Sequence, residues 1–319
     1  MATTEQNFEQ PLVDLRRRIE ELQGYPEGGH DAEVERLRRT LDKCTREVFS
    51  NLNRWQKTLV ARHFDRPYTL DYVEHLMSDW IEIHGDRRFS DDPAIVTGFA
   101  TFRGRSVCVV GHQKGRGTKQ RIRCNFGQPR PEGYRKALRA FELAEKFDLP
   151  VLTFVDTPGA YPGIGAEERG QAEAIARNLV EMASLKVPVI VTVTGEGGSG
   201  GALALGIGNR VFMLQYSIYS VISPEGCAAI LWKDQNRKAD AAEALRLTAP
   251  DLLDLGVVDG VIDEPLGGAH VDVPTTCARV GDVLHQTLEE LAQMSPSQLV
   301  EDRHAKFRAL GEIEGRPHL

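Results

Sequence analysis

The segment Thr194-Gly195-Glu196-Gly197-Gly198-Ser199-Gly200-Gly201-Ala202 carries five glycines at the end of an apolar run, and so exposes backbone N–H groups that few side chains can cover. Where a strand passes through such a run into a helix, the first-turn amides have no acceptor inside the helix and can hold an anion. Gly200 and Gly201 stand where that first turn is expected. The chemistry on offer is stabilisation of a developing oxyanion, in which one donor is typically worth on the order of a hundredfold in rate. The same glycines also suit a close helix-packing turn. A third reading comes from Gly197-Gly198-Ser199-Gly200-Gly201, which satisfies G-x-S-x-G and would make Ser199 a hydrolase nucleophile with His270 as its base. His270 lies in Gly267-Gly268-Ala269-His270, where nothing local places it beside Ser199, and so short a pattern is weakly specific.

A second glycine loop, Asp156-Thr157-Pro158-Gly159-Ala160-Tyr161-Pro162-Gly163-Ile164-Gly165, also follows an apolar run. Its glycines allow positive φ and close approach of a ligand, and its prolines stiffen it. Glu167 and Glu168 follow at the start of a helix and suit its positive end, as solvated dipole partners and not as catalytic acids. A third loop, Gly111-His112-Gln113-Lys114-Gly115-Arg116-Gly117-Thr118-Lys119, invites comparison with a phosphate loop. It fails the spacing, because Arg116 occupies the second glycine position and Lys119 follows the threonine. Lys114, Arg116, Lys119, Arg121 and Arg123 still form a local basic run suited to a ligand's phosphate or a partner's carboxylates, or simply to solvent.

These loops need a scaffold. Ser106 to Gly111, Pro150 to Asp156, Pro188 to Thr194, Val211 to Gln215 and Ile218 to Ile222 read as buried strands, with helical periodicity over 132–147 and 166–186 between them. The alternation predicts an α/β layered domain with ligands at the strand ends. Upstream, Leu12, Leu15, Ile19 and Leu22, then, after the breaker Gly24 to Gly29, Val34, Leu37, Leu41, Cys44, Val48, Leu52, Trp55 and Leu59, predict a helical hairpin with one apolar seam. That seam can pack on its own domain or dock on another subunit. Val280, Val283, Leu284, Leu288 and Leu291 mark a C-terminal helix, and Ser295-Pro296-Ser297-Gln298 starts another with a capping box, with Gly311 as its stop. The expected division is a hairpin over 1–65, a catalytic domain over 66–294, and a C-terminal helix and tail over 295–319.

Composition narrows the classes. A net charge of −7 offers no general field for nucleic acid or an anionic membrane. No apolar stretch approaches a membrane span and the first ten residues lack the blocks of a secretion signal, so a cytoplasmic protein is expected. Cys44, Cys108, Cys124, Cys227 and Cys277 form no CxxC pair, which argues against a structural zinc or a disulfide framework, and Cys227 reads as a packed thiol.

The strings RIRCNFG (Arg121 to Gly127), PEGYRKA from Pro131, FVDTPGAYPGIGAEERGQ, GEGGSGGALALG, SVISPEGCA and EPLGGAH together resemble the α subunits of bacterial acetyl-CoA carboxylase carboxyltransferase, from the hairpin to about residue 310. Cys124 and Gln128 depart from commoner choices in that family, while their neighbours match. The resemblance implies a crotonase-like (ClpP/crotonase) α/β spiral of ββα units behind the hairpin. It also implies half a catalyst, completed by a β subunit that carries a zinc ribbon and the complementary oxyanion site, in an α2β2 core working with biotin carboxylase and the biotin carboxyl carrier protein. The implied reaction moves a carboxyl group from carboxybiotin on that carrier to acetyl-CoA, giving malonyl-CoA for fatty-acid synthesis. No metal and no covalently bound cofactor is expected on this chain. Gly200 and Gly201 resemble the family's hole for the ureido oxygen, with Gly159, Ala160, Tyr161, Gly163, Gly198 and Ser199 around the carboxybiotin and Lys114, Arg116 and Lys119 as phosphate or partner contacts. A noncatalytic assembly subunit, with the hairpin as its functional element, is the remaining alternative.

Overall fold

The computed structural model describes residues 8–24 and 30–311. The expected breaker therefore lies outside the described residues from position 25 to 29. Two helices, α1 (Gln10–Gln23) and α2 (Asp31–Ser50), pack as the hairpin, with Ile19 and Leu22 against Val34. The apolar run does not continue as one helix to Leu59: α2 ends at Ser50, and α3 (Arg54–Ala61) restarts behind Asn53, whose side chain and that of Gln56 form a reciprocal cap. The upper part of the seam closes on the chain's own core, because Leu12, Phe49, Leu52 and Val60 share a cluster with Tyr216.

Beyond α4 (Thr69–Leu76), the strands β1 (Met77–Glu82), β2 (Ile95–Phe102) and β3 (Arg105–His112) form an antiparallel meander. Then come α5 (Gly117–Arg123), α6 (Pro131–Lys146), β4 (Val151–Thr157), α7 (Ile164–Glu168), α8 (Gln171–Ser184), β5 (Val189–Gly198) and α9 (Ser199–Leu203). The chain ends through β6 (Arg210–Leu214), β7 (Ile218–Ser220), α10 (Pro224–Trp232), α11 (Lys238–Leu245), α12 (Ala249–Asp254), β8 (Gly260–Ile262), α13 (Val273–Leu291) and α14 (Pro296–Ala309). The sheet order is β1-β2-β3-β4-β5-β6-β8, parallel from β3 onward, and β7 joins β5 off this path. Strand β5 is long enough to change partners: Ile190 to Val193 pair with β6, and Glu196 to Gly198 pair with β7. Its glycine-rich end is thereby carried beyond the main sheet.

The parallel strands are buried on both faces because alternate residues feed two cores. Cys108, Val110, Val151, Val189 and Val191 pack with Tyr134, Phe141 and Met182 of α6 and α8. Val107, Val109, Leu152, Phe154 and Ile190 pack on the other side with Tyr72 of α4 and Leu284 and Leu288 of α13. The reading of 166–186 as one helix is corrected by Gly170, whose φ of 82° breaks it into α7 and α8. The cap of α14 forms as expected, with the hydroxyl of Ser295 accepting from the Gln298 amide. That helix is built into the core: Arg303, fully buried, donates to the carbonyls of Met182, Leu185 and Val187.

Candidate functional site

Both glycine loops emerge at the C-terminal ends of adjacent parallel strands, β4 and β5, and close packing between them accounts for several glycines. A Cβ on Gly201 would stand 2.6 Å from the Ala160 nitrogen and the Gly159 carbonyl carbon, and one on Gly198 would stand 2.3 Å from the Pro158 oxygen. Tyr161 folds back over Gly163, where a Cβ would meet its ring at 2.3 Å. Gly200 differs. A Cβ there would meet nothing closer than Ile175, at 3.7 Å, so this glycine keeps its surface open toward solvent instead of toward the fold. Gly159, Ala160, Gly198, Ser199, Gly200 and Gly201 thus gather at one point, with Tyr161 and Gly163 one turn away.

Ser199 takes φ of 51°, a conformation that strains a non-glycine residue and turns the chain sharply from β5 into α9. The first-turn amides of Gly200 and Gly201 follow it, and a five-residue helix provides no acceptor for them. On one side of α9 lies an apolar cavity of about 290 Å³ lined by Ser199, Leu203, Tyr219, Val221, Leu252 and Phe307. Burial pushes the Tyr219 phenol up to about 12, so this wall stays uncharged at neutral pH. Hydrogen bonds donated beside such a surface are stronger than in water.

Beneath the loops runs a chain of charges, buried at Asp156 and Glu196 and half-buried beyond them, that sequence reasoning did not assign. Asp156, the penultimate residue of β4, is only 2% exposed. Its Oδ1 accepts from the Glu196 amide at 2.8 Å and from Lys114 Nζ at 2.6 Å. Gly195 is glycine because a Cβ there would stand 2.4 Å from that same oxygen. Glu196 pairs with Arg62 at 2.8 Å, and Arg62 pairs with Glu225 of α10 at 2.7 Å. A separate buried pair, Arg66 with Glu264 at 2.8 Å, also holds the Thr194 carbonyl. The only sequence signal was position: Asp156 and Glu196 each stand next to a glycine loop, at the end of a strand.

The basic run divides accordingly. Lys114 is turned inward to Asp156, and Arg116 pairs with Asp71 at 2.7 Å and lies over the Tyr68 ring. Lys119 remains exposed on α5. Neither Lys114 nor Arg116 is therefore a free cation for a phosphate.

The hydrolase arrangement is absent among the described residues. His270 stacks on His63, ring centroids 3.8 Å apart, and no hydrogen bond joins Ser199 to a histidine. The imidazole near the glycines is His112, fully buried under them, with backbone of Phe154 and Gly201 against its ring. Burial, then the nearby Lys114 charge, holds it down to about 3, and burial followed by His63 does the same for His270, against an ordinary value of 6.5. Below 6.5 the unfolded chain takes up protons at these positions and the folded chain does not. The stability they contribute is complete above that value and is lost as pH falls toward 3. Urea midpoints are expected to drop between about pH 7.5 and about pH 5, and to drop less in a His270→Asn variant. An equally steep drop in the variant would place the acid sensitivity elsewhere.

Cys227 packs against Ala228 and Ala241. Among the described residues, no group of three His, Cys, Asp or Glu side chains is placed to hold a metal, and no helix is long and apolar enough to cross a membrane.

With this geometry in place, similarity to known proteins is informative. The family described as acetyl co-enzyme A carboxylase carboxyltransferase-like matches residues 5–311. A protein of Syntrophotalea carbinolica is 59% identical over 311 residues, covering 97% of this chain and 98% of its own length. One of Geobacter metallireducens is 58% identical over 308 residues, covering 96% and 97%. Both bear the name acetyl-coenzyme A carboxylase carboxyl transferase subunit alpha. Among solved structures, the transcarboxylase 12S core aligns with a TM-score of 0.59 at 22% identity, over 73% of this chain but only 44% of that one. The Pseudomonas malonate decarboxylase heterodimer aligns at 0.56 and 19% identity, over 68% of this chain and 89% of that one. These distant likenesses concern the fold, which is the crotonase-like fold of carboxyltransferases.

Proposed function

The chain belongs to the family of acetyl-CoA carboxylase carboxyltransferase α subunits, and from that premise we propose that its two glycine loops form the biotin side of a shared carboxyl-transfer site. The observation that carries this reading is the contrast between Gly201, packed into the first loop, and Gly200, open to a ligand at the same helix start. As carboxybiotin releases its carboxyl group, negative charge develops on the ureido oxygen, where the Gly200 and Gly201 amides donate without being ionised themselves. The freed biotin nitrogen takes a proton from the acetyl methyl group. The resulting enolate captures the carboxyl carbon to give malonyl-CoA, so no side-chain base is required.

The enolate is held by the second chain. In this reading the β subunit supplies that oxyanion site and the zinc ribbon, in an α2β2 core served by biotin carboxylase and the biotin carboxyl carrier protein. Gly159, Ala160, Tyr161, Gly163, Gly198 and Ser199 frame the carboxybiotin ring. Malonyl-CoA decarboxylation dependent on free biotin is expected only when this chain is mixed with the β subunit, and to persist within about threefold in Ser199→Ala, whose side chain donates nothing essential. Full activity of the β subunit alone would leave this chain a scaffold, and loss of activity in Ser199→Ala would restore a nucleophilic role.

A further inference from the structure

Between Gly111 and Pro131 the chain carries six cations, Lys114, Arg116, Lys119, Arg121, Arg123 and Arg130, and no carboxylate, although its net charge is −7. The fold neutralises the first two, through Asp156 and Asp71. Lys119, Arg121 and Arg123 form no ion pair among the described residues, Arg130 lies near the buried Asp92 carboxylate without a close ion pair, and all four cations are exposed. Helix α5 buries none of its residues, and Ile122 on it is 62% exposed.

The turn that follows takes an unusual backbone path, held by the Asn125 side chain donating to the Gln128 carbonyl at 2.8 Å. Asn125 and Phe126 take φ of 47° and 56°, and Phe126, 46% exposed, is held out beneath the Arg121 guanidinium at 5.5 Å. Two non-glycine residues in succession with positive φ are uncommon, and such outliers concentrate at ligand clamps. The turn is pinned from below, where a Cβ on Gly127 would stand 2.5 Å from Lys114 Cγ. It is also tied to the first glycine loop: Tyr161 donates its amide to the Pro129 carbonyl at 2.9 Å, Gln171 bridges the Pro129 and Tyr161 carbonyls, and Arg130 lies over the Tyr161 ring.

Arginine interleaved with an exposed aromatic and an exposed aliphatic side chain is the composition of a protein-contacting surface. The cationic excess requires an acidic counterpart. Resting on the reading of the glycine loops as the biotin side, we propose that α5 and the Phe126 turn form the docking surface for the acidic face of the domain that carries biotin. Its position on the lip of the biotin-side loop lets one encounter deliver the ring to Gly200. Long-range attraction to these four charges sets the encounter rate, and Phe126 and Ile122 provide the short-range contact.

The test uses the assembled α–β complex with two acceptors, the biotinylated carrier and free biotin, across a range of salt. Lys119→Glu, Arg121→Glu and Arg123→Glu combined should raise KM for the carrier by roughly tenfold or more and flatten its salt dependence, because steering contributes about 10- to 1000-fold to association. Free-biotin rates and the KM for malonyl-CoA should stay within about twofold, since exposed substitutions leave the fold nearly unperturbed. Phe126→Asn, which tolerates the same backbone conformation, should raise the carrier KM without changing the salt slope. Unaltered carrier kinetics in the triple variant would overturn the proposal. So would a raised malonyl-CoA KM in the free-biotin assay, which would make the patch a nucleotide-phosphate site. Loss of free-biotin activity in Gly200 variants tests the glycine reading separately, so the two can fail independently.

Discussion

Gly200→Val in the assembled complex is expected to lower kcat for biotin-dependent carboxyl transfer by about a hundredfold or more while leaving the melting temperature and subunit assembly unchanged. The reason is steric. A Cβ on Gly200 finds ordinary contact with Ile175 at 3.7 Å and otherwise open space, so added methyl groups occupy the ligand's approach and not the protein's core. Gly201→Val makes a different comparison, because its Cβ would stand 2.6 Å from two backbone atoms of the Gly159–Ala160 peptide and something must move. That variant should lose both stability and activity. Ureido-oxygen stabilisation at the first turn therefore rests on the Gly200 result: undiminished turnover there would remove these amides from the reaction, whereas loss in Gly201→Val alone would show only that the two loops must pack.

Breaking the charge chain at Asp156 should have the largest effect on stability. Asp156→Ala removes the acceptor shared by Lys114 and the Glu196 amide and leaves a largely buried ammonium group with only a 3.9 Å contact to Glu196 Oε2. Removing one partner of such a pair typically costs about 3–5 kcal/mol. Chemical denaturation of the variant is expected to show a loss of that order. The double variant Asp156→Ala with Lys114→Met should recover much of the stability, because no uncompensated charge remains. It should not recover the activity, because β5 still loses the carboxylate that anchors Glu196 just ahead of Ser199, Gly200 and Gly201. Recovery of both together would make the chain of charges a matter of folding alone.

Much of this architecture was legible in the residues. Short β-branched runs next to amphipathic periods located β3 to β7, because buried parallel strands and core-facing helices impose different apolar spacings. The capping pattern at Ser295 was equally local, and it formed. Strands β1, β2 and β8 lie outside those runs. The edge strand Met77–Glu82 has mostly exposed or half-buried residues, and Gly260–Ile262 is too short for alternation to register. The helical period over 166–186 spans two helices, since the apolar spacing continues through Gly170 while the backbone does not.

For the site, the sequence by itself determined which peptides could lie bare: two glycine-rich strings at strand ends, one of them carrying Gly200 and Gly201. That follows from the residue type itself, since a glycine has no side chain of its own to shield its amide. Only the tertiary structure decided what each glycine is for. Gly195, Gly198 and Gly201 make room for Asp156, Pro158 and the Gly159–Ala160 peptide, and Gly200 alone of that group keeps an open face. It also decided that Lys114 and Arg116 turn inward to carboxylates while the next cations of the same run stay in solvent. Such pairings join residues dozens of positions apart, and Coulomb attraction between them acts only after the sheet has brought β3, β4 and β5 side by side.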